Sequence, residues 1–78
     1  MNYILTLEDT QRLETSFTYH RPLGDQPERY TLIRCAAEEF AELLMKNCPR
    51  SRELSLALTH LEEAVMEANA SIARHEKE

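Results

Sequence analysis

The fold is decided by residues 51–75, SRELSLALTHLEEAVMEANASIARH. Leu54, Leu58, Leu61, Val65, Ala68 and Ile72 recur at steps of four, three, four, three and four, which places them on one face of a helix as a sustained coiled-coil-like seam. Immediately upstream, Cys48-Pro49-Arg50-Ser51 breaks the pattern. Before that break a second helical pattern runs over 26–47. Asp25 is expected to be its N-cap, Pro27 suits its first turn, and Glu28 lies close to the positive helix end. Its expected seam is Ile33, Ala37, Phe40 and Leu44. A connection of a few residues makes the two helices antiparallel neighbours, so the spacing predicts an all-α helical hairpin.

Further outward the pattern is looser. The run His20-Arg21-Pro22-Leu23-Gly24-Asp25 is a loop signal. Thr6-Leu7-Glu8-Asp9 is suited to open a short helix, with Thr6 as cap and Asp9 reaching back, and Leu7, Leu13 and Phe17 would then cover one end of the hairpin. Tyr3 to Leu7 reads equally as an edge strand. The expected organisation is a single domain over 1–78: an N-terminal arm and loop over 1–25, then helices over 26–47 and 51–75.

At 78 residues, a folded chain hides only about 60% of the surface it exposes when unfolded. Leu32, Cys35 and Met45 lie off the first seam, and Leu56 and Met66 off the second. Outward apolar groups in that number on so short a chain predict a homo-oligomer that buries them. The formal net charge of −5 argues against a nonspecific DNA or RNA coat, which needs a broad basic surface. No apolar run approaches the ~20 residues of a membrane span and no secretory leader pattern is evident, so a cytosolic protein is expected.

Little in the sequence suggests catalysis. If Cys35 and Cys48 lay on one helix they would stand about 20 Å apart, outside disulfide reach, and they read as reduced thiols. His20, His60 and His75 show no zinc-ligand spacing. Glu38-Glu39-Phe40-Ala41-Glu42 has the E-E-x-x-E form by which all-α nucleotide pyrophosphohydrolases hold magnesium. On the expected seam, however, Glu38 and Glu42 point about 140° to 180° away from the partner helix. The E-x-x-D those enzymes need on the following helix is missing, since Glu63 and Glu67 come without the Asp. One glycine cannot build a phosphate cradle. No metal site and no cofactor is expected. A magnesium-dependent pyrophosphohydrolase and a helical adaptor docking a protein through Leu56 and Met66 stand as alternatives.

The arginines carry more information. There are seven against two lysines, and arginine suits bidentate phosphate recognition and stacking on bases. Arg21, Arg29 and Arg34 gather around the first loop and first helix, and Arg74 closes the second helix. Tyr30 and Arg34 sit at i and i+4, an aromatic plane beside a guanidinium. Phe17-Thr18-Tyr19-His20-Arg21-Pro22 adds two aromatics, an imidazole and an arginine. A purine stacked on Tyr19 with arginines on phosphate is chemically reasonable; equally, Phe17 and Tyr19 can pack on the hairpin while Arg34 pairs with Glu38.

Taken together, Phe17-Thr18-Tyr19-His20, Gln26-Pro27-Glu28-Arg29-Tyr30 with Ile33-Arg34, Cys48-Pro49-Arg50-Ser51-Arg52-Glu53, and above all the stretch from Leu61 to Arg74 resemble the helical hairpin of phage-encoded cyclic-oligonucleotide sponges. These are the anti-CBASS proteins, with a related hairpin in some anti-Thoeris sponges. The resemblance covers roughly the last three quarters of the chain. It departs at Glu67, where relatives often have Trp, and at His60, where they often have Lys.

The resemblance implies a non-enzymatic inhibitor in the cytoplasm of the infected bacterial host. It would assemble as a hexamer and sequester cyclic dinucleotides such as cyclic GMP-AMP between protomers, with cyclic trinucleotides in separate pockets. By resemblance Tyr19 would stack on a base, Arg34 would hold phosphate, and Arg74 would face a symmetric trinucleotide site. The expected ligand-binding set is Tyr19, His20, Arg29, Tyr30, Arg34 and Arg74.

Overall fold

The computed structural model describes residues 3–76, which form three helices and, among the described residues, no strand: α1 (Leu7–Phe17), α2 (Gln26–Asn47) and α3 (Arg52–His75). The N-terminal segment therefore resolves in favour of the short helix. The Thr6 hydroxyl accepts the Asp9 N–H at 3.1 Å while the Asp9 carboxylate accepts the Thr6 N–H at 3.0 Å, a reciprocal capping box.

Between α2 and α3 the chain has no alternative to turning. Pro49 lacks an amide hydrogen and disfavours helical dihedrals at Cys48, which is extended at φ −120°, ψ 137°. Ser51 then starts α3. Its hydroxyl donates to the Pro49 carbonyl and accepts the Leu54 N–H, both at 3.1 Å. The substantial packing between elements is that of α2 on α3.

On α3 the seam is as the spacing predicts: Leu54, Leu58, Leu61, Val65, Ala68 and Ile72 are all half-buried. On α2 it is not. Ile33, Ala37 and Leu44 face α3, but Phe40 turns outward, 49% exposed, and Ala41 takes its place. A phenyl ring at that point would hold the helices apart, whereas alanines at 37 and 41 leave room for Leu58, Leu61 and Val65, which line a shallow groove with them. Asp25 is the N-cap of α2, as expected, its carbonyl accepting the Arg29 N–H at 3.1 Å. It precedes α2 without a side-chain capping bond, and its carboxylate accepts the Arg29 Nε at 3.2 Å instead.

The expected cover from α1 does not form, for Leu7 is 74% and Phe17 81% exposed. Among the described residues no apolar side chain is fully buried. The molecule is a slab of 50 × 39 × 13 Å with a radius of gyration of 17.2 Å, where a compact chain of this length would have about 11–12 Å. Its accessible surface of 6891 Å² exceeds by roughly 2,000 Å² the ~4,900 Å² expected of a compact monomer of this mass.

Candidate functional site

At the open end of the hairpin three segments converge on a shallow cleft of about 440 Å³. The arm supplies Thr18, Tyr19 and His20, α2 supplies Tyr30, and the last turns of α3 supply Asn69, Ala70, Ala73 and Arg74. Ala70 and Ala73 make the floor low. Tyr19 stands above it, 82% exposed, with a whole ring face open to a planar ligand. Arg74 is half-buried and has no ion-pair partner among the described residues. Among the described residues no carboxylate lines this cleft.

Two polar atoms in its walls, His20 Nε2 and Asn69 Oδ1, are buried without a hydrogen-bond partner. Leaving such an atom unpaired costs about 1–3 kcal/mol, so the cleft carries unmet hydrogen-bonding capacity. The sequence offered no sign of Asn69: it falls beside the α3 seam in a stretch rich in alanine, where a polar residue reads as solvent-facing.

Arg34, one turn beyond Tyr30 on the same side of α2, lies in a second groove of about 340 Å³ that continues along the α2–α3 face. This groove is mostly apolar, with Ala37, Ala41, Leu58 and Val65, and it also contains Glu38 and Glu62. No Arg34–Glu38 ion pair forms among the described residues. The expected set thus divides: Tyr19, His20, Tyr30 and Arg74 share one cleft, and Arg34 sits in the next.

Arg29 belongs to neither. Its guanidinium takes the Glu76 carboxylate with both terminal nitrogens and the Asp25 carboxylate with Nε. The same Glu76 accepts the Gln26 side-chain amide at 3.0 Å. Those hydrogen bonds, Arg29 first and Gln26 second, hold the Glu76 carboxyl down to about 2 from the usual 4.5; the Arg29 guanidinium is correspondingly pushed up, chiefly by its hydrogen bond with Glu76.

The acidic run of α2 makes no metal cage. Glu38, Glu39 and Glu42 are exposed, and Glu42 pairs with Lys46 at 2.8 Å. Among the described residues no group of three His, Cys, Asp or Glu side chains is placed to hold an ion, and no helix is long and apolar enough to cross a membrane.

The helical hairpin and its cleft have a counterpart among known families. Residues 9–73 match the model of the family described as "Acb2/Tad1, hairpin domain". No curated protein and no solved structure matches the chain. The match runs from α1 to the last turn of α3 and takes in the lining of both grooves except Arg74, and with this much of its length covered the chain belongs to the Acb2/Tad1 hairpin family of anti-CBASS and anti-Thoeris sponge proteins.

Proposed function

We propose that this protein is a non-enzymatic sponge that sequesters cyclic oligonucleotide signals, cyclic dinucleotides such as cyclic GMP-AMP and also cyclic trinucleotides, in the cytoplasm of a phage-infected bacterium. The observation that carries the reading is the cleft that joins the open ring of Tyr19, the ring of Tyr30 and the guanidinium of Arg74, with no carboxylate in its lining and no ion pair to Arg74 among the described residues. Aromatic faces take bases of any identity, and an arginine fork matches a phosphodiester. His20 supplies a further polar edge. Arg34 holds phosphate from the neighbouring groove, where Glu38 and Glu62 repel an anion unless a second protomer or the ligand's own geometry separates them.

The protein works as a homo-oligomer, a hexamer in this reading. Support comes from the excess surface of roughly 2,000 Å² per chain and from the outward Leu32, Phe40, Met45 and Met66. An interface of standard size removes about 800 Å² from each partner, so the excess suits more than one interface per chain. Light scattering should find a species well above dimer; a stable monomer at micromolar concentration would remove the assembly from the account.

The test of function is a thermal-shift panel of cyclic di- and trinucleotides with linear dinucleotides as controls. A ligand at a hundred times its Kd stabilises the native state by about 2.7 kcal/mol, a shift of several degrees at least for a small domain. No shift with any cyclic nucleotide would reject the reading and leave the protein-binding adaptor in its place.

A further inference from the structure

Gln26 is the single buried residue among those described, 4% exposed, and it is polar. Its carbonyl oxygen accepts the Leu23 N–H at 2.8 Å and its amide donates to Glu76 at 3.0 Å, across fifty positions of sequence. The backbone N–H of Gln26 closes a turn on the Leu23 carbonyl at 2.9 Å. Gly24 makes that turn possible with φ +50°, a dihedral any side chain would strain, although a Cβ there would meet open space. Arg29 completes the knot by gripping Glu76 and Asp25.

Every wall of the cleft runs directly into this knot. Tyr30 follows Arg29, Arg74 stands two residues before Glu76, and His20 stands three before Leu23. On its other side the arm follows α1, whose nearest residue, Phe17, is exposed, while the substantial inter-element packing is that of α2 on α3.

We infer that Gln26, Arg29 and Glu76 form a clasp that positions the arm carrying Tyr19 and His20 over the end of α3, and that Glu76 is the residue on which nucleotide affinity depends without touching the nucleotide. The inference rests on the sponge reading for its ligand but not for its geometry. It assigns Arg29 to positioning, since its donors already face two carboxylates. It also gives the chain beyond α3 a role that neither helical seam provides. Glu76→Ala removes the acceptor shared by the two α2 side chains; Glu76→Gln keeps an acceptor oxygen for them while removing the charge.

The experiment compares the full chain, Glu76→Ala, Glu76→Gln and, as a remote control, Glu42→Ala. Calorimetric titration with cyclic GMP-AMP measures affinity, far-ultraviolet dichroism measures helicity, and hydrogen exchange of the Leu23 amide reports on the arm without ligand. Glu76→Ala is expected to weaken binding about tenfold, the loss typical of a hydrogen bond to a charged group, and to free the Leu23 amide for exchange at unchanged helicity. Glu76→Gln should recover most of both, and Glu42→Ala should match the parent chain. Unaltered affinity or unaltered Leu23 protection in Glu76→Ala overturns the inference. So does loss of the hairpin's helicity in that variant, for the clasp would then support the hairpin rather than the arm. If the parent chain binds no cyclic GMP-AMP, that choice of ligand fails, and Leu23 exchange alone decides whether the clasp holds the arm.

Discussion

Replacing Tyr19 by alanine isolates the stacking contribution better than any other change in the cleft. The ring is 82% exposed, so its removal takes almost no buried surface with it and the unliganded protein should melt within about a degree of the parent, as expected for a surface change worth under ~0.5 kcal/mol. Binding is a different matter. An aromatic face stacked on a base contributes about 1–3 kcal/mol, which at ~1.4 kcal/mol per tenfold corresponds to a rise in Kd between about 5-fold and 150-fold. Tyr19→Phe keeps the plane and loses only the hydroxyl, and should stay within a factor of about three of the parent. Calorimetric titration of the three proteins with the cyclic nucleotide that gives the largest thermal shift measures all of this directly. Equal Kd for the parent and Tyr19→Ala would refute the reasoning, because the ring would then not lie on the ligand. A Tyr19→Phe variant as weak as Tyr19→Ala would also count against it, by moving the energy from the plane to the hydroxyl.

Three other outcomes follow from the same geometry. Arg74→Ala should weaken cyclic-nucleotide binding by at least about tenfold and flatten its dependence on salt, as expected when a phosphate contact is lost; an unchanged salt slope in a titration series would contradict its role. The Glu76 carboxyl lies at about 2 in the folded protein against 4.5 ordinarily, so the unfolded chain takes up its proton first as pH falls. The stability it contributes is complete above about pH 4.5 and lost on the way down to about 2, and urea midpoints should fall more steeply for the parent than for Glu76→Gln across that window; parallel curves would refute the linkage. Ser51→Ala removes the acceptor for the Leu54 N–H and should cost about 1 kcal/mol, or about 4–8 °C in Tm at fixed protein concentration, with nucleotide affinity unchanged.

The hairpin was legible because its information is periodic. Six apolar residues at alternating steps of four and three can lie on one side only of a helix, and Cys48-Pro49 can only end one. The capping box at Thr6 and Asp9 was legible for a related reason, being a local reciprocal pattern. Phe40 was misplaced because hydrophobicity and position alone both favoured it over Ala41; the deciding quantity is the room between two helices, which no single helix's sequence records. Leu7, Leu13 and Phe17 were expected to cover the hairpin on the same ground, and nothing in a spacing tells whether an eleven-residue helix folds back or stands off. The clasp was invisible. Gln26 beside a proline reads as an ordinary polar helix start, and its partner lies fifty residues away in a stretch without repeat. Within the cleft, the tyrosines and Arg74 stood out by residue type, whereas Asn69 showed only once α3 was placed against the arm.

Capture without turnover is open to one direct measurement. The protein is mixed with a several-fold excess of cyclic GMP-AMP in the presence of magnesium, separated from free nucleotide at intervals, and denatured, and the released and free pools are then analysed chromatographically. For a sponge, bound nucleotide saturates at a fixed ratio to protein, is released intact, and leaves the free pool constant with time. Steady disappearance of the excess, abolished by Glu38→Gln or Glu42→Gln, would contradict it and make the protein a hydrolase.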